Sequence, residues 1–144
     1  MAQNVRDFMT PNPVAVSEKD SIREVAKIMA KIDTGVVPVV DGKKVIGMIT
    51  DRDIVVRLVA EGKDPSSSSV KDAMSKNVRA VNEEATVSEA LLMMSNAQIR
   101  RVPVVNTNNE LVGIVSIGDI ATDSEENGRV GRTVERISEA PPNN

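Results

Sequence analysis

Apolar and polar positions alternate along this chain in a way that marks short elements, and the same order of elements occurs twice. Val36–Val40 and Val45–Thr50 are runs rich in β-branched residues separated by a polar turn, and Val102–Val105 and Leu111–Ser116 repeat the arrangement. Ahead of the first strand pair the apolar spacing becomes helical, with Ile22, Val25, Ile28, Met29 and Ile32 on one face. Each of these leading helices opens on a capping box, Ser21-Ile22-Arg23-Glu24 and Thr86-Val87-Ser88-Glu89. In such a box a hydroxyl and a carboxylate three residues later satisfy amides that have no partner at a helix start. Gly35 is the expected stop of the first helix. Short extended segments, Pro13–Val16 and Val78–Val81, precede the helices, and a further helix is expected to begin near Asp53 and near Asp119.

These parallels reflect an internal duplication. Val5–Asp41 aligns without a gap on Val70–Asn106, placing Val5, Asp7, Met9, Asn12, Ala15 and Val16 on identical residues at Val70, Asp72, Met74, Asn77, Ala80 and Val81. Val37-Pro38-Val39-Val40 meets Val102-Pro103-Val104-Val105. After one extra residue in the second turn, Gly47, Asp53 and Ile54 meet Gly113, Asp119 and Ile120. The expected organisation is repeat 1 over 5–61, a Ser-rich linker over 62–69, repeat 2 over 70–122 and a polar tail over 123–144. In that tail Val130, Val134 and Ile137 have the spacing of one short amphipathic helix, although fraying is expected there. A unit of about 60 residues has a weak core of its own, so two copies are expected to cover each other as a pseudo-two-fold pair with a ligand cleft at their junction.

Composition narrows the chemistry. The 144 residues are 40% hydrophobic and 27% charged, which fits a globular chain that folds without disulfides or metal. Cysteine and histidine are both absent, so thiolate catalysis, imidazole proton transfer and Cys- or His-ligated metal are excluded. No nucleophile–base pair stands out, and the expectation is a protein that is not an enzyme. Phe8 is the only aromatic residue, so any base-like ligand sits between aliphatic side chains. The net charge of −3 argues against general nucleic-acid binding. With no long apolar run and no signal-peptide pattern, the sequence reads as soluble and cytoplasmic.

The ordered motifs Val-Arg-Asp-Phe-Met-Thr at 5–10, Gly-Val-Val-Pro-Val-Val at 35–40 and Gly-Met-Ile-Thr-Asp-Arg-Asp-Ile at 47–54 resemble a CBS domain, the module named after cystathionine β-synthase. Val-Lys-Asp-Ala-Met-Ser, Arg-Arg-Val-Pro-Val-Val and Gly-Ile-Val-Ser-Ile-Gly-Asp-Ile carry the same resemblance in repeat 2, and together they cover roughly 5–122. The chain is similar to small stand-alone bacterial proteins made of one CBS pair. That resemblance implies an α+β fold (mixed α/β) of tandem β-α-β-β-α units. It also implies frequent dimerisation and regulatory binding of adenosine-containing ligands such as AMP, ADP, ATP or S-adenosylmethionine.

The candidate ligand residues follow. Thr50 with Asp53, and Ser116 with Asp119, place a hydroxyl and a carboxylate where a strand gives way to a helix, a setting suited to a phosphate and a ribose. The same pairs are equally the pattern of a plain N-cap. Arg100 and Arg101 precede Val102-Pro103, and by family pattern a basic residue here reaches nucleotide phosphates. Repeat 1 has Gly35 and Val36 at those positions, so the Asp119 site is expected to be the better one for phosphate; solvated or ion-paired arginines are the alternative. The family pattern adds Thr10, Val14, Gly35 and Val36 to the Asp119 site, and Ser75 and Arg79 to the Asp53 site. The Met-Thr and Met-Ser pairs also fit plain strand-entry turns. Asp51-Arg52-Asp53 reads as a charged first helical turn in preference to a metal site, and magnesium is expected only with bound ATP. No cofactor is required on this reading. The expected partners are the adenosyl ligand, a second copy of the chain and an unidentified protein acting in trans, with neither nucleic acid nor membrane.

Overall fold

In the computed structural model, which describes residues 3–123 and 127–138, the chain divides into two units. A central unit holds Val14–Val78, and a composite unit joins Met1–Pro13 to Arg79–Asn144. The spatial units therefore do not follow the boundaries of the sequence repeats. The start of each repeat belongs to the unit built mainly from the other repeat.

Burial of one valine in each leading segment accounts for this exchange. Val5, in a 3-10 turn over Val5–Asp7, is fully buried in the composite core beside Val81, Val87 and Val104. Its amide donates to the Ala85 carbonyl at 2.9 Å, and the Arg6 amide to that of Glu83 at 3.1 Å. Val70, in the matching turn Val70–Asp72, is equally buried in the central core beside Val16, Ile22 and Leu58. Its amide donates to Asp20 at 2.8 Å, and the Lys71 amide to Glu18 at 3.0 Å. Withdrawing either valine would forfeit about 1.5 kcal/mol or more of apolar burial.

The composite sheet has the order β1-β6-β5-β4, from β1 (Thr10–Pro11), β4 (Val81–Asn82), β5 (Arg101–Val105) and β6 (Leu111–Ser116). β4 runs parallel to β5, and the remaining pairs are antiparallel. The central unit keeps that plan in reduced form around the hairpin of β2 (Val36–Asp41) and β3 (Lys44–Thr50). Val16 bridges Val39 in parallel on one side, and Ser75 bridges Met48 antiparallel on the other. Helix α3 (Val87–Ala97) starts on the full reciprocal box of Thr86 and Glu89, whereas α1 (Ile22–Ile32) keeps only half of the expected one: Ser21 Oγ accepts from the Glu24 amide, and the Glu24 carboxylate meets Lys27 instead of the helix start.

Several expectations need correction. Helix α1 ends on Asp33, not Gly35: Asp33 adopts the left-handed conformation at φ 53°, as Gln98 does at φ 54° after α3. A short polar side chain such as aspartate tolerates that region, so no glycine is needed. Ile22, Val25 and Met29 are buried as the helical spacing requires, but Ile32 is exposed. The second helices start earlier than expected, as α2 (Asp51–Ile54) and α4 (Ile117–Asp123). α2 continues as a π-helical stretch over Val55–Val59.

The Ser-rich linker is pinned to the central unit. Ser68 and Pro65 carbonyls accept from the Ile22 and Arg23 amides, and Ser69 bridges Ser21. The tail forms α5 (Asn127–Ser138), which packs on α3. Its buried contact is Thr133, whose hydroxyl donates to the Leu91 carbonyl at 3.4 Å, whereas Val134 is exposed. The rest of the expected tail, 124–126 and 139–144, and the side chain of Val130 lie outside the described residues.

Candidate functional site

Strand register gathers most of the composite-unit candidates on one face. Arg101 opens β5 directly opposite Ser116, the last residue of β6. Val102, Val104 and Val115 point into the core, so period-two alternation turns Arg101 and Ser116 to the other face. Thr10 pairs with Ile114, two residues before Ser116, and shares that face. Asp119 follows in the first turn of α4. Its amide donates to Ser116 Oγ at 3.1 Å, and its Oδ2 accepts from the Ser116 amide at 3.1 Å. The half-buried Asp119 carboxylate keeps Oδ1 without a hydrogen-bond partner among the described residues. Arg100 and Arg101 are exposed, and the Arg100 carbonyl accepts from the Ile117 amide at 2.9 Å.

The central unit builds the same frame with different chemistry. Val36 lies opposite Thr50, where Arg101 lies opposite Ser116, and Ser75 bridges Met48 at the place of Thr10. Thr50 and Asp53 form the reciprocal box, at 3.0 Å from the Asp53 amide to Thr50 Oγ1 and 2.9 Å from the Thr50 amide to Asp53 Oδ2. Capping chemistry is therefore present in both copies. What differs is the surroundings. The Asp51 amide donates to the Gly35 carbonyl, and the Asp51 carboxylate takes the Arg52 amide at 2.8 Å. That carboxylate stands over Gly35, where a Cβ would meet Asp51 Oδ2 at 3.0 Å. The matching first-turn position in α4 is Ile117, which carries no charge.

One residue missed in the sequence completes the contrast. Arg57 Nη1 donates to the Ala73 and Met74 carbonyls at 3.1 and 2.9 Å, and its Nε lies 3.9 Å from Asp53 Oδ1. It thus ties the leading segment of repeat 2 to the first-turn carboxylate of the central unit. Repeat 2 has Asp123 at the corresponding position, so no cation of this kind follows Asp119. The signal was the four-residue spacing of Asp53 and Arg57, a standard helical ion-pair interval.

The remaining candidates fall outside these two groups. Val14, Gly35 and Val36, expected with Asp119, belong to the central unit, and the exposed Arg79, expected with Asp53, belongs to the composite unit. Among the described residues no set of three or more acidic side chains gathers as a metal site, and no helix is long and apolar enough to cross a membrane.

The family model for the CBS domain matches residues 5–60 and again 70–126. The chain belongs to the CBS domain family. The CBS domain-containing protein YhcV of Bacillus subtilis is 38% identical over 135 residues, spanning 94% of this chain and 95% of that protein. The crystal structure of Hypoxic Response Protein I, with two coordinated zinc ions, matches with a TM-score of 0.77 at 35% identity, covering 83% of this chain and 98% of that one. The CBS domain pair of the protein MJ0100, in complex with 5′-methylthioadenosine and S-adenosyl-L-methionine, matches with a TM-score of 0.75 at 32% identity, covering 85% of this chain and 95% of that one. Tandem CBS domains in a mixed α+β fold are thus shared with these proteins.

Proposed function

We propose that this CBS pair is a regulatory module that binds an adenosine-containing ligand through the half-site of the composite unit. The observation that carries this reading is the grouping of Arg101, Ser116, Thr10 and Asp119 on one face, with one Asp119 carboxylate oxygen uncommitted. A carboxylate so placed accepts hydroxyls of a ribose, and a guanidinium opposite a hydroxyl suits a phosphate. The first-turn amides of Ile117 and Asp119 are already engaged, which leaves the phosphate to the Arg101 side chain and the Ser116 hydroxyl more than to the helix end. The MJ0100 pair, with its two adenosyl ligands, supports the ligand class.

The half-site of the central unit takes a lesser part in this account. Thr50, Asp53 and Ser75 keep the frame, but Asp51 places a second carboxylate where a phosphate would come, and Arg57 stands beside Asp53. The module needs no cofactor, and magnesium enters only with ATP. Its output passes to a protein acting in trans, or through a homodimer. Val55, Val56 and Val59 are exposed on the central unit and call for cover by a second copy, whereas Leu58 in the same stretch is buried within its own unit. A monomer mass by light scattering at micromolar concentration would rule the homodimer out.

The competing reading is a structural CBS pair in which the two hydroxyl–carboxylate boxes serve only as helix caps. A thermal-shift screen with AMP, ADP, ATP, S-adenosylmethionine and NAD separates the two. Stabilisation by at least one adenosyl compound is expected, and no shift with any of them would favour the structural pair.

A further inference from the structure

A recess of mixed polar and apolar lining lies in the composite unit, away from the β5–β6 face. Helices α3 and α5 flank an open groove of about 280 Å³, with Leu91 and Leu92 as its apolar part and Ser88, Ser95, Asn96, Arg132 and Arg136 as its polar part. Its floor is fixed by the bond from Thr133 to the Leu91 carbonyl. At its end the Gln98 side-chain amide donates to the Arg136 carbonyl at 3.0 Å. The two arginines stand four residues apart on α5, a spacing at which like charges face each other and repel. Among the described residues neither guanidinium meets a carboxylate, and no acidic side chain lines the groove. In a chain of net charge −3 this is a local concentration of positive charge beside two hydroxyls and an amide.

We propose that the α3–α5 groove is a binding site for a compact phosphate-bearing small molecule, separate from the adenosyl half-site. Two guanidinium forks on one helical face match the several oxygens of a phosphate or diphosphate, and Ser88, Ser95 and Asn96 supply neutral donors from the opposite wall. The volume lies just below that of ordinary small-molecule pockets, so it suits a phosphate ester or diphosphate better than a whole nucleotide. Bound there, the anion relieves the repulsion between Arg132 and Arg136 and bridges α5 to α3. The inference does not rest on the adenosyl reading, because no residue is shared.

The test is a titration of the full chain with pyrophosphate, at constant ionic strength in chloride buffer, followed by amide NMR. Saturable shifts of the Ser95, Asn96 and Arg132 amides are expected. The Arg132→Gln/Arg136→Gln double variant should bind about tenfold more weakly or worse, and Arg101→Ala should bind like the parent. The proposal is overturned if the parent shows no saturable binding at millimolar pyrophosphate, or if the shifts map to Arg101 and Ser116 instead. It is equally overturned if a folded double variant binds as well as the parent. Should that variant not fold, the amide map of the parent decides alone.

Discussion

The two half-sites share one backbone design and differ in what surrounds it. Each places a hydroxyl at a strand end, an aspartate three residues on and a polar residue on the bridging segment. In the composite unit Arg101 faces Ser116 and Ile117 follows; in the central unit Val36 faces Thr50 and Asp51 follows. One copy carries positive charge beside its aspartate. The other carries a second carboxylate and directs its nearby cation, Arg57, at the Ala73 and Met74 carbonyls. Duplication preserved the caps, because both helices need them, while the residues around the caps diverged between ligand chemistry and clasp.

The sharpest break of this comparison is Asp119→Ala against Asp53→Ala. Each removes one arm of a capping box and should lower stability by about 1 kcal/mol, with Asp53→Ala the slightly worse because it also gives up the Arg57 contact. Only Asp119→Ala should weaken adenosyl-ligand binding, by about 1.5–3 kcal/mol or roughly ten- to a hundredfold in calorimetry. Equal binding losses would erase the distinction between the half-sites.

Next in size is the paired glycine test. A Cβ at Gly47 would meet the Met74 methyl and come within 2.5 Å of the Ser75 carbonyl oxygen, whereas at Gly113 the nearest backbone oxygen, of Thr10, is 3.0 Å away. Alanine at either site should cost about 1–3 kcal/mol in urea denaturation, with Gly47→Ala the worse. The reverse order would contradict the tighter seating of the bridging segment in the central unit.

Arg101→Ala should weaken AMP binding about tenfold while leaving adenosine unaffected, since adenosine has no phosphate for the guanidinium to meet. A matching loss for adenosine would move Arg101 from phosphate to fold. The smallest effect is expected from Arg57→Ala, because its side chain is half exposed: about 1 kcal/mol of stability, with AMP affinity unchanged.

The duplication, the strand pairs and the α1 and α3 caps were legible because each rests on local spacing and local hydrogen bonding. The exchange of leading segments was not legible as spatial grouping, since Val5 and Val70 are merely apolar in the sequence and their burial depends on which core receives them. The end of α1 was misplaced for a related reason: Gly35 is the better left-handed residue in isolation, yet Asp33 is the one where the backbone turns. At the sites, the hydroxyl–aspartate pairs and the Arg101–Val36 asymmetry were readable from the alignment of the repeats. The clasp by Arg57 was not, because it reaches carbonyls sixteen and seventeen residues away, which no helical spacing encodes.

The central claim is that one of two homologous half-sites serves the ligand, and the stoichiometry of AMP binding measures this directly. Titration calorimetry on the parent chain should give one AMP per chain, weakened roughly ten- to a hundredfold in Asp119→Ala and unchanged in Asp53→Ala. Two equivalent AMP per chain, no binding, or a single site lost with Asp53→Ala and kept with Asp119→Ala would contradict it.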